Sequence, residues 1–595
     1  MKVAVCFASK PFASITASTS MAKSMCLHPT HETAVFPIEG GAFSSVKTSE
    51  RFSSVSMLRK SDTGNLLLVS GVPLDLHGSL DERLNRIVFG GFKAAVNELK
   101  KLDGAFAAFF WDADEKKMVV VTDPLGLQPL YVSRTSKGLL LATEIKAFPA
   151  SGLVDIEMDP SGWGAFIGLA HSVGERTQLA GVHRFPPATV MTFDPSTGNE
   201  ENEVYWHWPK LRENMQMKDV DTDAIIGVLR SELNAYAQHK KSSTVLLSGG
   251  FDSRLAIAMM HQEGWDPTAL IIGHQDELFG ADAILAKSVV KRLGLRSTLV
   301  NTPRDFYRTS SYLDYLVMNE VATPSLYLFI AQVMGNVDPS MEVIWDGTPP
   351  GYGLVPAFLP PGGFDQFLKH SFRPRDAYVW KMADLTFGAT RTDEMFEEVT
   401  ASIQRESDKY PDNEMGVTMF EVYNRMRTRT SPNALKVYSN HAMPYMLSMS
   451  REFWDIVGQI PYSVSKAYEL YFEIYRKHFP NLAQVPFLSG GGLWCDQSCG
   501  LRGVAAKGFY WGAKSKFTQL SQKAYRRYIR GSRRYWMESQ FLSQTRDKFE
   551  WDHTDLNVDG IRNMDLNCRL PFYWQMWQWI LSGDLTTRNS NTFFS

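Results

Sequence analysis

Short apolar runs bounded by turns dominate the first 200 residues. Leu66-Leu67-Leu68-Val69, Met118-Val119-Val120-Val121 and Leu139-Leu140-Leu141-Ala142 all predict β-strands. Phe106 to Trp111 is almost wholly apolar, as a strand covered on both faces would be. From about Asp81 to Lys100, Leu84, Ile87, Val88, Phe92, Ala95, Val96 and Leu99 fall near one face at helical spacing. After residue 220 the pattern changes. Asp221 to about Ala237 reads as a helix carrying Ile225, Ile226, Val228, Leu229, Leu233 and Tyr236. A strand at Thr244 to Leu247, a helix from Leu255, a strand at Thr268 to Gly273, a helix stopped by Gly294 and a strand at Ser297 to Val300 follow. Alternating strands and helices imply a parallel, doubly wound sheet with its ligand at the carboxyl ends of the strands. Asn199 to Lys210, acidic and then rich in Tyr205, Trp206 and Trp208, marks the junction, giving expected domains of 1–205 and 206–595.

A chain of 595 residues is too long for one core, which agrees with that division. Hydrophobic residues at 44% and charged residues at 21% are ordinary for a globular protein. A net charge of -2 gives no general attraction to nucleic acid or acidic membranes. No segment is apolar for the roughly 18 residues a membrane helix needs. The start, Met1 to Ala8, is too short in its apolar run for a signal peptide and reads as a first strand. Five cysteines (Cys6, Cys26, Cys495, Cys499 and Cys568) argue against a disulfide scaffold, so the expected location is cytoplasmic.

The most specific signal is Thr244-Val245-Leu246-Leu247-Ser248-Gly249-Gly250-Phe251-Asp252-Ser253-Arg254. Strand, glycine turn and helix start together form an anion cradle, with backbone N–H groups converging and the helix dipole behind them. Glycines let that backbone approach phosphate oxygens. Asp252 puts a carboxylate where a phosphate-bound Mg²⁺ needs an oxygen ligand. No lysine follows the glycines, so this is not the phosphate loop of kinases and GTPases. The run resembles the SGG-x-DS pyrophosphate loop of the N-type ATP pyrophosphatases, which cleave ATP between the α and β phosphates. The resemblance implies ATP-binding by Leu246, Ser248, Gly249, Gly250, Phe251, Asp252, Ser253 and Arg254, with Gly273 at the adenine edge.

Other phrases are similar to the asparagine synthetases. Leu102-Asp103-Gly104-Ala105-Phe106-Ala107, Asp123 to Tyr131, Ala142-Thr143-Glu144-Ile145-Lys146-Ala147 and Gly181 to Pro187 resemble, in order, four phrases of that family's glutaminase half. The implied fold is an Ntn-hydrolase-like αββα sandwich, followed by a doubly wound PP-loop ATPase domain with a helical C-terminal extension. The family's glutaminase uses an exposed first-residue cysteine and an asparagine–glycine oxyanion site. Here Met1-Lys2 precedes Cys6, and Ser70-Gly71-Val72-Pro73-Leu74 lacks the amide donor, so the domain reads as catalytically silent. Processing that exposes Cys6 is the alternative.

In the second half, Val343-Ile344-Trp345-Asp346-Gly347 resembles the fourth strand. The acids that follow it in the family are replaced by Thr348-Pro349-Pro350-Gly351-Tyr352-Gly353. Asp346 is left with two readings, a replacement Mg²⁺ ligand or a cap of the next turn. Met443 to Leu447, Lys466 and the helix around Tyr471 resemble later family segments, but the loop expected to carry a catalytic lysine, Val485 to Leu493, holds none. Lys466 and Lys514 are the candidates carried forward beside Asp252. Arg526 to Arg534 with neighbouring tyrosines reads first as a solvated face, and His28-x-x-His31 as a loop. The expectation is therefore an ATP- and Mg²⁺-dependent ligase that adenylates a small-molecule or peptide carboxylate and joins it to ammonia or an amine. No membrane or nucleic-acid partner is expected, and a homodimer stays open. A nucleotide-binding pseudoenzyme that scaffolds another protein and an RNA-modifying ATP pyrophosphatase are the alternatives.

Overall fold

The computed structural model describes residues 1–8, 11–49, 53, 55–273, 281–301, 310–323, 341–347, 350–354, 363–489, 492–501, 503, 505, 507, 555–562 and 569–584. Lys514, Cys568, the arginines of 526–534 and Thr348-Pro349 lie outside them.

Among the described residues the first 204 form two six-stranded antiparallel sheets. One runs His183–Arg184, Tyr131–Thr135, Gly138–Ala142, Lys2–Ala8, Gly41–Lys47, Glu32–Ile38. The other runs Asn199–Val204, Thr189–Asp194, Lys117–Thr122, Asp103–Asp112, Leu66–Leu74, Leu58–Lys60. Period-two alternation decides the layers. In Lys2–Ala8, Val3, Val5 and Phe7 enter the core between the sheets, while Ala4 and Cys6 face the helix Pro11–Met25 through Ala17 and Met21. The opposite sheet is covered by the helix Leu80–Leu99, whose Leu84, Ile87 and Val88 are buried in the same apolar cluster as that sheet's strands. Asp103–Asp112 is buried at every position, as its unbroken apolar run predicts. The result is an αββα sandwich.

The second half is built on a parallel sheet in the order Arg296–Asn301, Thr268–Gly273, Ser243–Leu246, Val343–Asp346, Met443–Met446. Trp345 lies opposite Val245, so the ends of the central strands sit side by side. Helices surround this sheet, and Arg569–Ser582 returns to the first half, where Trp577 meets Trp163 edge to face with ring centroids 5.4 Å apart.

The halves meet through buried polar contacts. Arg451 donates to Asp103 and to the Lys100 and Lys101 carbonyls. Gly104 N donates to Met449 O across the same seam, and within the second half Glu232 accepts from the Met449 and Ser450 amides and the Ser450 hydroxyl, burial pushing its carboxyl up to about 7. A chain of alternating charges also crosses the seam. Lys2 pairs with Glu144 at 3.0 Å, Glu144 with Lys146 at 2.5 Å, and Glu320 bonds both the Lys146 amide and Lys436. All five side chains are at least nine-tenths buried. Burial alone would neutralise Glu144, but Lys146 and Lys2 hold its carboxyl below its usual range. Removing one member leaves a buried charge without its counter-ion, so Glu320→Ala should cost about 3–5 kcal/mol in denaturant titrations.

His28 stacks edge to face with His31 and also meets the ring of His441. His31 Nδ1 accepts from the Leu27 amide at 3.3 Å and Nε2 faces the Asn440 carbonyl, an arrangement that suits the neutral imidazole. Burial, then the charge of Lys2, depresses His31 from 6.5 to about 4. Between those values the unfolded chain binds more protons than the folded one. This contribution is therefore complete above pH 6.5 and lost as pH falls towards 4, at up to about 1.4 kcal/mol per unit. Denaturant midpoints across that window should show a shallower fall for His31→Gln than for the parent chain.

Candidate active site

The strand Ser243–Leu246 runs into Ser248-Gly249-Gly250-Phe251, and the helix Asp252–Gln262 starts at once. Three turn amides are held by side chains. Ser248 N donates to Ser253 Oγ at 3.0 Å, Gly249 N to Asp282 Oδ1 at 2.8 Å and Gly250 N to Ser248 Oγ at 3.2 Å. The first helical bond is Leu255 N to Phe251 O, which leaves the amides of Asp252, Ser253 and Arg254 without intrahelical acceptors. These donors, with the positive end of the helix dipole, form an anion seat.

The turn is held rigidly from below. Phe251 lies flat between Tyr468 and Phe487, with ring centroids 4.6 and 4.1 Å away. Arg254, fully buried, lies over the Phe487 ring and donates to the carbonyls of Gly249, Val485 and Pro486. Burial lowers its guanidinium to about 10, so it keeps its charge at neutral pH. Leu488 N donates to Gly249 O. The helix Glu469–His478 contributes two tyrosines one turn apart: Tyr475 OH donates to Phe251 O at 2.7 Å, and Tyr471 OH to Asp252 Oδ1.

Asp252 and Asp346 are electrostatic neighbours. Burial raises the Asp252 carboxyl to about 6; the Tyr471 hydrogen bond opposes this and the charge of Asp346 adds to it. A divalent cation would relieve two carboxylates that repel each other. The space for one is kept by glycine, since a Cβ on Gly351 would lie 2.9 Å from both Asp252 carboxylate oxygens. The two acids thus fit Mg²⁺. Among the described residues no group of three or more His, Cys, Asp or Glu could hold a metal, so phosphate oxygens would have to complete the coordination.

The sequence-predicted residues divide accordingly. Leu246, Gly273 and Asp346 end three strands of one parallel sheet, and Gly347 follows at once. A Cβ on Gly347 would sit 2.6 Å from Ser253 N, so the fourth strand presses directly on the helix start. Lys466 is exposed, and Tyr468, two residues on, is the side chain that reaches the turn. Lys514 lies outside the described residues. Sequence reasoning missed Asp282, Tyr471, Tyr475 and Phe487. The spacing of Tyr468, Tyr471, Phe472 and Tyr475 at i, i+3, i+4 and i+7 was the available signal for an aromatic helix face.

In the first half, Cys6 is fully buried in mid-strand, and burial pushes its thiol up to about 11. Gln128 Nε2 donates to Ser70 Oγ, which donates to Met1 O at 2.6 Å. Beside them lies a cavity of about 20 Å³ lined by Lys2, Gly71, Gln128, Glu144 and Lys436. That is room for about one water.

Residues 92–206 match a glutamine amidotransferase domain. The chain is 31% identical over 173 residues to the amidase chyE of Penicillium rubens, covering 27% of this chain and 24% of that one. It is 27% identical over 168 residues to the glutamine-hydrolyzing asparagine synthetase 3 of Bacillus subtilis, covering 27% and 26%. Over that stretch the chain is similar to the asparagine synthetases and to that amidase. Its alignments span about a quarter of the length of these curated relatives. Among solved structures it is similar to glutamine phosphoribosylpyrophosphate amidotransferase from B. subtilis at 12% identity, over 50% of this chain and 90% of that one. The TM-score is 0.25. No helix among the described residues is long and apolar enough to cross a membrane.

Because Gly347 abuts Ser253, Gly347→Ala should destabilise the chain by about 1–3 kcal/mol through overpacking. It should also weaken nucleotide uptake more than Gly227→Ala, at an open position of the helix Thr222–Ala235; differential scanning fluorimetry with and without Mg²⁺·ATP reads both effects.

Proposed function

We propose that this chain is an ATP-dependent, amide-forming synthetase whose first half no longer hydrolyses glutamine. The observation that carries this reading is the helix start at Asp252 to Arg254, whose amides have no intrahelical acceptor, with the carboxylates of Asp252 and Asp346 beside it. A carboxylate cannot expel oxide at neutral pH, so it needs a leaving group. In the proposed reaction a carboxylate oxygen of the substrate attacks the α-phosphorus of ATP and pyrophosphate departs. An amine or ammonia then attacks the acyl carbon, AMP leaves and the nitrogen loses a proton.

The helix amides and dipole stabilise the charge of the departing pyrophosphate, because they are fixed before the reaction begins. Tyr471 and Tyr475 keep the turn in place. Mg²⁺, held by Asp252 and Asp346 when bound, would neutralise phosphate charge. Loss of glutaminase is supported by the Cys6 thiol, buried and far from thiolate at neutral pH, and by a cavity that holds no more than a water. The nitrogen then comes from free ammonia or from an amine bound with the acid.

Incubation with ATP, Mg²⁺ and pools of carboxylic acids and amines should release AMP and pyrophosphate, not ADP. Asp252→Ala should reduce that release at least 100-fold, a loss typical of a removed charge-stabilising group. Glutamate released from glutamine alone would overturn the silent first half. ATP binding without AMP from any pool would favour the pseudoenzyme instead.

A further inference from the structure

Asp282 stands outside the SGG-x-DS run, 33 residues beyond Gly249 and in the first turn of the helix Ala281–Leu293. Its carboxylate nevertheless takes the Gly249 N–H at 2.8 Å. The peptide on the other side of Gly249 is tied as well, since Gly249 O accepts from Leu488 N and Arg254 Nη2. Gly249 is thus gripped at both ends, by one element on its amide side and two on its carbonyl side. The helix seats closely on the turn, because a Cβ on Gly249 would crowd Leu285 Cβ at 3.1 Å and the Asp282 carbonyl oxygen at 3.2 Å. Asp282 also interacts electrostatically with the buried Arg254 guanidinium.

We propose that Asp282 is a positioning residue for ATP, whose carboxylate fixes the Gly249 peptide so that the amides of Asp252, Ser253 and Arg254 converge on the triphosphate. The inference rests on the ATP-binding reading above. Its physical basis is preorganisation. A glycine pair left untethered samples many backbone states, and an anion would have to order them on binding. With three turn amides satisfied internally, the helix amides remain as donors for the ligand. The charged hydrogen bond from Gly249 is the strongest of the three tethers by type, the other two being neutral serine contacts.

Two variants separate this role from the alternatives. Asp282→Ala removes the acceptor; Asp282→Asn keeps an acceptor oxygen and drops the charge. Amide hydrogen exchange of the nucleotide-free protein should quicken about tenfold at Gly249 and Gly250 in Asp282→Ala and stay near the parent rate in Asp282→Asn. Calorimetry with Mg²⁺·ATP should show affinity about tenfold weaker for Asp282→Ala, with Asp282→Asn recovering to within about threefold. Unchanged exchange and affinity in Asp282→Ala would overturn the proposal. So would tighter ATP binding in both variants, which would make the carboxylate a competitor occupying the phosphate seat. If the parent chain takes up no ATP, the functional reading and the ATP half of this inference fall together. Unaltered exchange in Asp282→Ala removes the tether alone.

Discussion

A buried guanidinium joins segments of this chain that lie more than two hundred residues apart in sequence. Arg254, three residues past the turn Ser248–Phe251, donates to the carbonyls of Gly249, Val485 and Pro486 and rests on the face of Phe487. A cation stripped of water must find such partners or fail to fold. The hairpin Phe487–Ser489 and Gly492–Trp494 is thereby bound to the turn it covers. Phe251 then has rings on both faces, and the helix bearing Tyr471 and Tyr475 is locked against the same point. The turn is stiff because distant residues converge on it.

Much of this architecture is legible along the chain. The all-buried strand Asp103–Asp112 shows as an apolar run, and the helix Leu80–Leu99 shows its face through Leu84, Ile87 and Val88. The glycine turn announces itself because its chemistry is local: the residues that make an anion seat are consecutive. Asp282 and Tyr471 were not legible for the opposite reason. Each is an unremarked residue on a helix, and each gains its meaning only when tertiary packing brings it to Gly249 or Asp252. Lys466 shows the converse. Similarity of sequence suggested chemistry for it, while the fold leaves it exposed and sends the aromatic neighbour Tyr468 inward.

The first half shows how strand geometry decides the setting of a thiol. Period-two alternation sends Cys6 to the face covered by Pro11–Met25, where small partners such as Ala17 pack around it. A thiol in that setting behaves as a compact apolar group. Lys2 and Glu144 occupy the neighbouring polar space, and what cavity remains is no larger than a solvent molecule.

The run of charges from Lys2 to Lys436 bears on how the chain is assembled. It holds three ammonium groups against two carboxylates, drawn from both sides of the junction. Glu320 and Lys436 belong to the second half; Lys2, Glu144 and Lys146 belong to the first. A fragment severed near residue 205 would present Lys146 to water without its Glu320 acceptor, beside an apolar surface that the remainder of the chain normally covers. The two antiparallel sheets and the parallel sheet therefore share one buried polar seam, and a cut at the junction would strip both halves of counter-charges they hold in common.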